Sequence, residues 1–187
     1  MQLVKLNKDQ IEKIYKSRMV YDFPKDELKP LEMIYKAVDA GFYEGLGLFD
    51  NGDIVAYTFI VEYENSYLID YLAVYPEHRS SGIGSQMLKF IEEYLQSADR
   101  IIIEVENPDY AEDSKAKEFQ QRRIEFYKKN GCVDTGVRVL CFRAYFMVLV
   151  TGKSKWQDGD DIWKYYEGFY KKFMLDEKVY KNIDRLS

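Results

Sequence analysis

The sequence predicts a mixed α/β fold, α+β in the order of its elements, with a central sheet flanked by helices and an extra helix at the C-terminal end. Three observations predict it. Asn51-Gly52 stands between two apolar runs, the signature of a tight antiparallel hairpin. A strand reaching Val74 passes through a glycine-bearing turn straight into an amphipathic helix. After that helix, apolar strands and a helix ending at Asn130-Gly131 alternate along the chain.

Each element follows from local chemistry. Leu3 to Leu6 reads as a short strand, and Asn7 or Asp9 can cap a helix over Gln10 to Met19. Pro24 forbids a continuous helix through Asp22 to Glu27, and Asp26 can restart one that runs to about Ala40. Strands are expected at Tyr43 to Phe49, Ile54 to Tyr63 and Tyr67 to Tyr75. In the following helix Ile83, Met87, Leu88, Ile91 and Leu95 share one face. Ile101 to Ile103 with Val105 is a buried strand that Asn107-Pro108 ends. Asp109 to Lys117 is polar and reads as a loop, Glu118 to Lys129 as a helix, and Val133 to Phe142 and Ala144 to Val150 as two strands. Beyond the polar connection Gly152 to Gly159, a helix carries Ile162, Trp163, Tyr165, Tyr166, Phe169, Tyr170 and Phe173. Its ring stripe reads as packing. A homodimer contact and burial against its own sheet are both open to it.

Composition narrows the function. Lys plus Arg is 27 against 32 for Asp plus Glu, a net charge of −5, and no basic run offers a footprint for nucleic acid. That balance mildly favours a cationic or amine substrate. Two cysteines and a single histidine, His78, make no zinc set, so no metal is expected. No apolar stretch has membrane-spanning length and the first residues are too polar for a signal peptide, so the expected location is cytoplasmic.

The chemistry concentrates in Tyr71-Leu72-Ala73-Val74-Tyr75-Pro76-Glu77-His78-Arg79-Ser80-Ser81-Gly82-Ile83-Gly84. Gly82 and Gly84 lack Cβ atoms, so backbone amides at the helix start can approach a bulky ligand. Those amides have no partner within their own helix and lie at the positive end of its dipole, a cradle suited to a diphosphate. A P-loop is excluded because Gly84-Ser85-Gln86 is not Gly-Lys-Ser/Thr. A dinucleotide fingerprint is excluded because Met87 stands where its third glycine belongs.

The longer pattern Val74-x-Pro76-x-x-Arg79-x-x-Gly82-x-Gly84 resembles the coenzyme A signature of the GNAT superfamily of N-acetyltransferases. Phe126-Tyr127-Lys128-Lys129-Asn130-Gly131-Cys132 is similar to the family's second signature, with Cys132 where Phe is commoner. The resemblance covers Leu3 to about Val150 and implies a mostly antiparallel twisted sheet of about seven strands. It places a GNAT-like domain at residues 1–151 and a helical extension packed on it at 152–187. It implies acetyl-CoA as cosubstrate, with the pantetheine arm along the backbone of Leu72, Ala73 and Val74. The diphosphate would lie on the amides of Arg79, Ser80, Ser81, Gly82, Ile83, Gly84 and Ser85. Tyr127 would lie beside the thioester sulfur and protonate the departing thiolate.

An amine acceptor must lose a proton, so a carboxylate near the strand ends is expected to help. Asp70 and Glu104 are the candidates, and Glu106, of equal parity with Glu104, belongs on the substrate side. Pairing with Arg122, Arg123 or tyrosine hydroxyls is their structural alternative. His78 reads as a surface residue. Tyr21, Asp22, Phe23 and Glu27 stand where the resemblance puts the acceptor, a small-molecule amine or amino acid. Helix capping and stapling explain the same residues. A coenzyme A or acyl-CoA sensor, or an interaction module, without turnover is the alternative reading of the whole pattern.

Overall fold

The computed structural model describes residues 1–25, 27–173 and 182–187. Asp26, the expected helix restart, lies outside the described residues. The chain divides into two units, residues 1–61 with 70–94 and residues 62–69 with 95–187. Among the described residues eight strands follow the order β1-β2-β3-β4-β5-β7-β6-β8, and β3 and β4 have residues in both units.

In the first unit, β1 (Gln2–Lys5) pairs antiparallel with β2 (Tyr43–Asp50), which pairs antiparallel with β3 (Asp53–Tyr63). The Asn51-Gly52 hairpin forms as expected, with both residues at positive φ (49° and 93°). Val55 to Val61 is buried without interruption, so β3 is covered on both faces and reads as one apolar run. Strand β4 (Ser66–Val74) neighbours β3, and the Tyr75 amide donates to the Val55 carbonyl at 3.0 Å. Asn7, rather than Asp9, opens α1 (Lys8–Ile14): its side chain accepts from the Gln10 amide while the Gln10 side chain accepts from the Asn7 amide. The helix outlasts its expected end at Met19. It continues through a π-helical turn, Tyr15–Met19, into α2 (Val20–Asp22). After the Pro24 break, α3 (Leu31–Asp39) starts behind Pro30, and α4 (Ile83–Tyr94) buries Ile83, Met87, Leu88 and Ile91.

In the second unit, the start of β4 pairs parallel with β5 (Arg100–Glu106), and the ladder runs from Ser66/Arg100 to Ile69/Ile103. Antiparallel pairs join β5 to β7 (Ala144–Val150) and β7 to β6 (Val133–Cys141). The eighth strand, β8 (Ile183–Arg185), lies antiparallel on β6, one strand more than expected; three residues are too few to show alternation. Helix α5 (Ser114–Lys129) begins four residues before its expected start, because Asp113 caps it through a 2.7 Å bond from the Ala116 amide. Helix α6 (Gly159–Phe173) buries Ile162, Tyr166, Phe169 and Tyr170, and it meets β6.

Candidate active site

Strand β4 runs into the turn as the sequence pattern requires. Pro76 starts a single 3-10 turn, Pro76–His78, its fixed φ suiting a first helical position. His78 lies in it half-buried, and its carbonyl accepts from the Ser81 hydroxyl at 2.6 Å. Ser80 (φ 62°) and Gly82 (φ 86°) then adopt the left-handed conformation and redirect the chain into α4. A Cβ added at Gly82 meets nothing within 4 Å, so glycine is needed there for its backbone angle and the space beside it is open. The first bond of α4 runs from the Gln86 amide to the Gly82 carbonyl at 3.1 Å. The amides of Ile83, Gly84 and Ser85 precede it and have no carbonyl of their own helix to meet. Arg79, Ser80, Ser81, Gly82 and Ser85 are exposed, and Leu72, Ala73 and Val74 are half-buried. The turn is open, polar and ringed by donors, the chemistry of an anion site.

Arg79 does not wave at the rim. Its Nε donates to the Val74 carbonyl (3.1 Å) and one terminal nitrogen to Asp22 Oδ1 (2.9 Å). The Asp22 side chain is only 5% exposed, and it also accepts from Arg18 (3.3 Å) and from the Tyr57 hydroxyl (2.9 Å). Arg18 lies 4.6 Å from the Tyr75 ring centroid, a cation over an aromatic face. Burial pushes the Tyr57 phenol far above its ordinary range, and the charge of Asp22 adds to the shift.

A second carboxylate is held in the same unit. Asp70, its side chain 4% exposed, accepts from Lys29 Nζ (2.6 Å) and the Tyr43 hydroxyl (2.5 Å). Burial, with the Asp70 charge beside it, raises the Tyr43 phenol well above its usual value. The Tyr71 hydroxyl bridges the early loop, accepting from the Lys29 amide (2.9 Å) and donating to the Glu27 carbonyl (2.8 Å). Phe23 packs edge-on against the Tyr71 ring with centroids 4.8 Å apart. Tyr21 stands out, 81% exposed.

In the second unit Tyr127 is 4% exposed on α5. Burial raises its phenol above the ordinary 10.0, while the charge of Arg123 and its hydrogen bond pull the other way. Arg123 also donates to Glu106 at 2.5 Å, and Glu104 accepts from the Tyr170 hydroxyl at 2.6 Å. Among the described residues no group of three or more His, Cys, Asp or Glu side chains is placed to hold a metal. Nor is any described helix long and apolar enough to cross a membrane.

The acetyltransferase (GNAT) domain profile matches residues 43–131, which hold both the turn and Tyr127. Over that stretch the chain is similar to GNAT acetyltransferases. No curated protein matches the sequence. Among solved structures, a protein assigned to the GNAT acetyltransferases of Bacteroides thetaiotaomicron is similar at 19% identity, covering 89% of this chain and 93% of that one, with a TM-score of 0.69. The ribosomal-protein-S18-alanine N-acetyltransferase of Escherichia coli is 16% identical, covering 84% and 97%, at 0.60. An aminoglycoside 6'-N-acetyltransferase complexed with coenzyme A is 14% identical, covering 84% and 100%, at 0.58. At such identities these likenesses show the fold.

Arg18, Lys29, Tyr43 and Tyr57 are not singled out by the sequence. Lys29 and Arg18 look like ordinary helix and loop cations, and the tyrosines like core. A signal was present for one of them: a carboxylate in β4 needs a partner, and Lys29 is that partner for Asp70.

Proposed function

We propose that the chain transfers an acetyl group from acetyl-CoA to the nitrogen of a small amine or amino acid. The observation that carries this reading is the open turn from Arg79 to Ser85, where unpaired helix-start amides and an ordered arginine offer a diphosphate site. The end of the parallel β4–β5 ladder at Ile69 supports a pantetheine arm along Leu72, Ala73 and Val74, adding to the strand as a peptide would.

The amine nitrogen attacks the thioester carbonyl, the carbon–nitrogen bond forms, and the carbon–sulfur bond breaks as the thiolate leaves. Tyr127 is the proposed proton donor to that sulfur, since a phenol is protonated at neutral pH and can donate as charge develops on the departing thiolate. The amine proton passes to water. Asp70 and Glu104 already hold hydrogen-bond partners, which favours a role for them in setting the local field over that of a free base. Tyr21 and Phe23, with Glu27 and Glu106, are the proposed acceptor contacts. The exposure of Tyr21 supports this, since a free ring can stack on a cation.

The test is a panel of polyamines, amino acids, aminoglycosides and a peptide N-terminus, each offered with acetyl-CoA while free thiol is read. One or more small amines should release thiol well above the rate without acceptor. Binding of coenzyme A with no thiol release from any acceptor would instead favour a sensor.

A further inference from the structure

Asp22 has the surroundings of a structural device. A carboxylate in the last turn of a helix lies at the negative end of the dipole, where it is disfavoured. Its side chain is nevertheless 5% exposed and takes three donors, two of them guanidinium groups. One of those, Arg79, belongs to the exposed turn and is 54% exposed, so its neighbours leave much of it open to solvent. The other, Arg18, is 20% exposed and sits over Tyr75. Two positive charges against one negative leave the cluster with a net charge of about +1.

We propose that Asp22 is a positioning residue for the donor site: it holds Arg79 in the one orientation that meets the diphosphate of coenzyme A. This rests on the diphosphate reading of the turn. An arginine on a long flexible stem loses rotamer freedom when it grips an anion, and one already ordered loses less. Two anchors order Arg79 beforehand, the Val74 carbonyl on Nε and Asp22 on a terminal nitrogen. Among the described residues no further acceptor meets its remaining N–H groups, which stay available to phosphate oxygens. Arg18 and Tyr57 fix the carboxylate in turn, and Arg18 offsets the negative charge that would otherwise repel the ligand. Asp22 thus serves the donor and not the amine acceptor, and it ties the end of the first helix to the cofactor turn.

The sign of one substitution separates positioning from simple charge. Asp22→Asn removes a negative charge beside an anion site, so a field effect alone would tighten coenzyme A. Loss of positioning weakens it. Calorimetry with coenzyme A should show about a 10-fold weaker dissociation constant for Asp22→Asn and a similar loss for Arg79→Gln. The double variant should be no weaker than Arg79→Gln alone. Tyr57→Phe, which removes one bond to Asp22 and little volume, should weaken binding about 3-fold and serves if Asp22→Asn does not fold. Tighter or unchanged binding by the folded Asp22 variant, losses that add in the double variant, or an unaffected Tyr57→Phe overturns the proposal while leaving the donor reading intact. Failure of the wild-type chain to bind coenzyme A overturns both.

Discussion

In the proposed mechanism Tyr127 carries the acid step, and its surroundings set how that step depends on pH. Burial raises its phenol above 10.0, with Arg123 opposing, so the neutral form persists through the physiological range. By linkage the buried neutral phenol stabilises the fold fully below its unfolded value. That contribution is lost as pH rises through the folded value. The turnover rate is therefore expected to climb as the amine acceptor deprotonates and then stay level up to about pH 10, with no descending limb below it. Tyr127→Phe should lower kcat by about 100-fold and leave the KM for acetyl-CoA nearly unchanged. A rate profile falling well below pH 10, or a Phe variant with full turnover, contradicts the assignment. Pairing with Arg122, Arg123 or a tyrosine hydroxyl is the structural alternative for Asp70 and Glu104, because a charge in an apolar strand must find a partner; Glu104 meets the Tyr170 hydroxyl, while Arg123 goes to Glu106. Which partner it finds depends on where α5 stands against β5, and strand parity alone carries no such information.

At the scale of the element, α6 shows how a close approach fixes a glycine. A Cβ at Gly168 would fall 2.3 Å from the Tyr63 ring, inside any tolerable contact. Tyr63 meets Tyr165 and Phe169 edge-on, with centroids 6.4 Å and 6.2 Å apart. Gly168→Ala gains helix propensity but must displace that ring, and a net loss of about 1 kcal/mol is expected in a denaturant melt. In a Tyr63→Ala background the same change should stabilise, by up to about 1 kcal/mol, since propensity alone remains. A loss of the same size in both backgrounds would mean that the ring is not what forbids the side chain. The aromatic stripe of α6 was legible from spacing, and so were the Asn51-Gly52 hairpin and the buried face of α4. The first four residues of α5 were not. Ser114 to Lys117 carry no apolar periodicity, and only the Asp113 cap marks where the helix begins.

Across the molecule, what sequence could supply follows the range of the interaction. Short-range geometry, a strand feeding a turn feeding a helix, is encoded within fourteen residues from Tyr71 to Gly84 and was readable. The clusters that order this turn draw Arg18 and Asp22 from one helix, Tyr57 from β3 and Arg79 from the turn, separations of up to 57 residues for the Asp22–Arg79 bond. Nothing local announces them. The central claim is that bare amides of the α4 start grip the cofactor diphosphate, and it can be watched directly in an amide chemical-shift titration of the whole chain with coenzyme A. The account predicts that Gly82, Ile83, Gly84 and Ser85 shift most, downfield as their N–H groups find phosphate oxygens. Saturable binding that leaves those four amides unmoved while shifts concentrate elsewhere would contradict it.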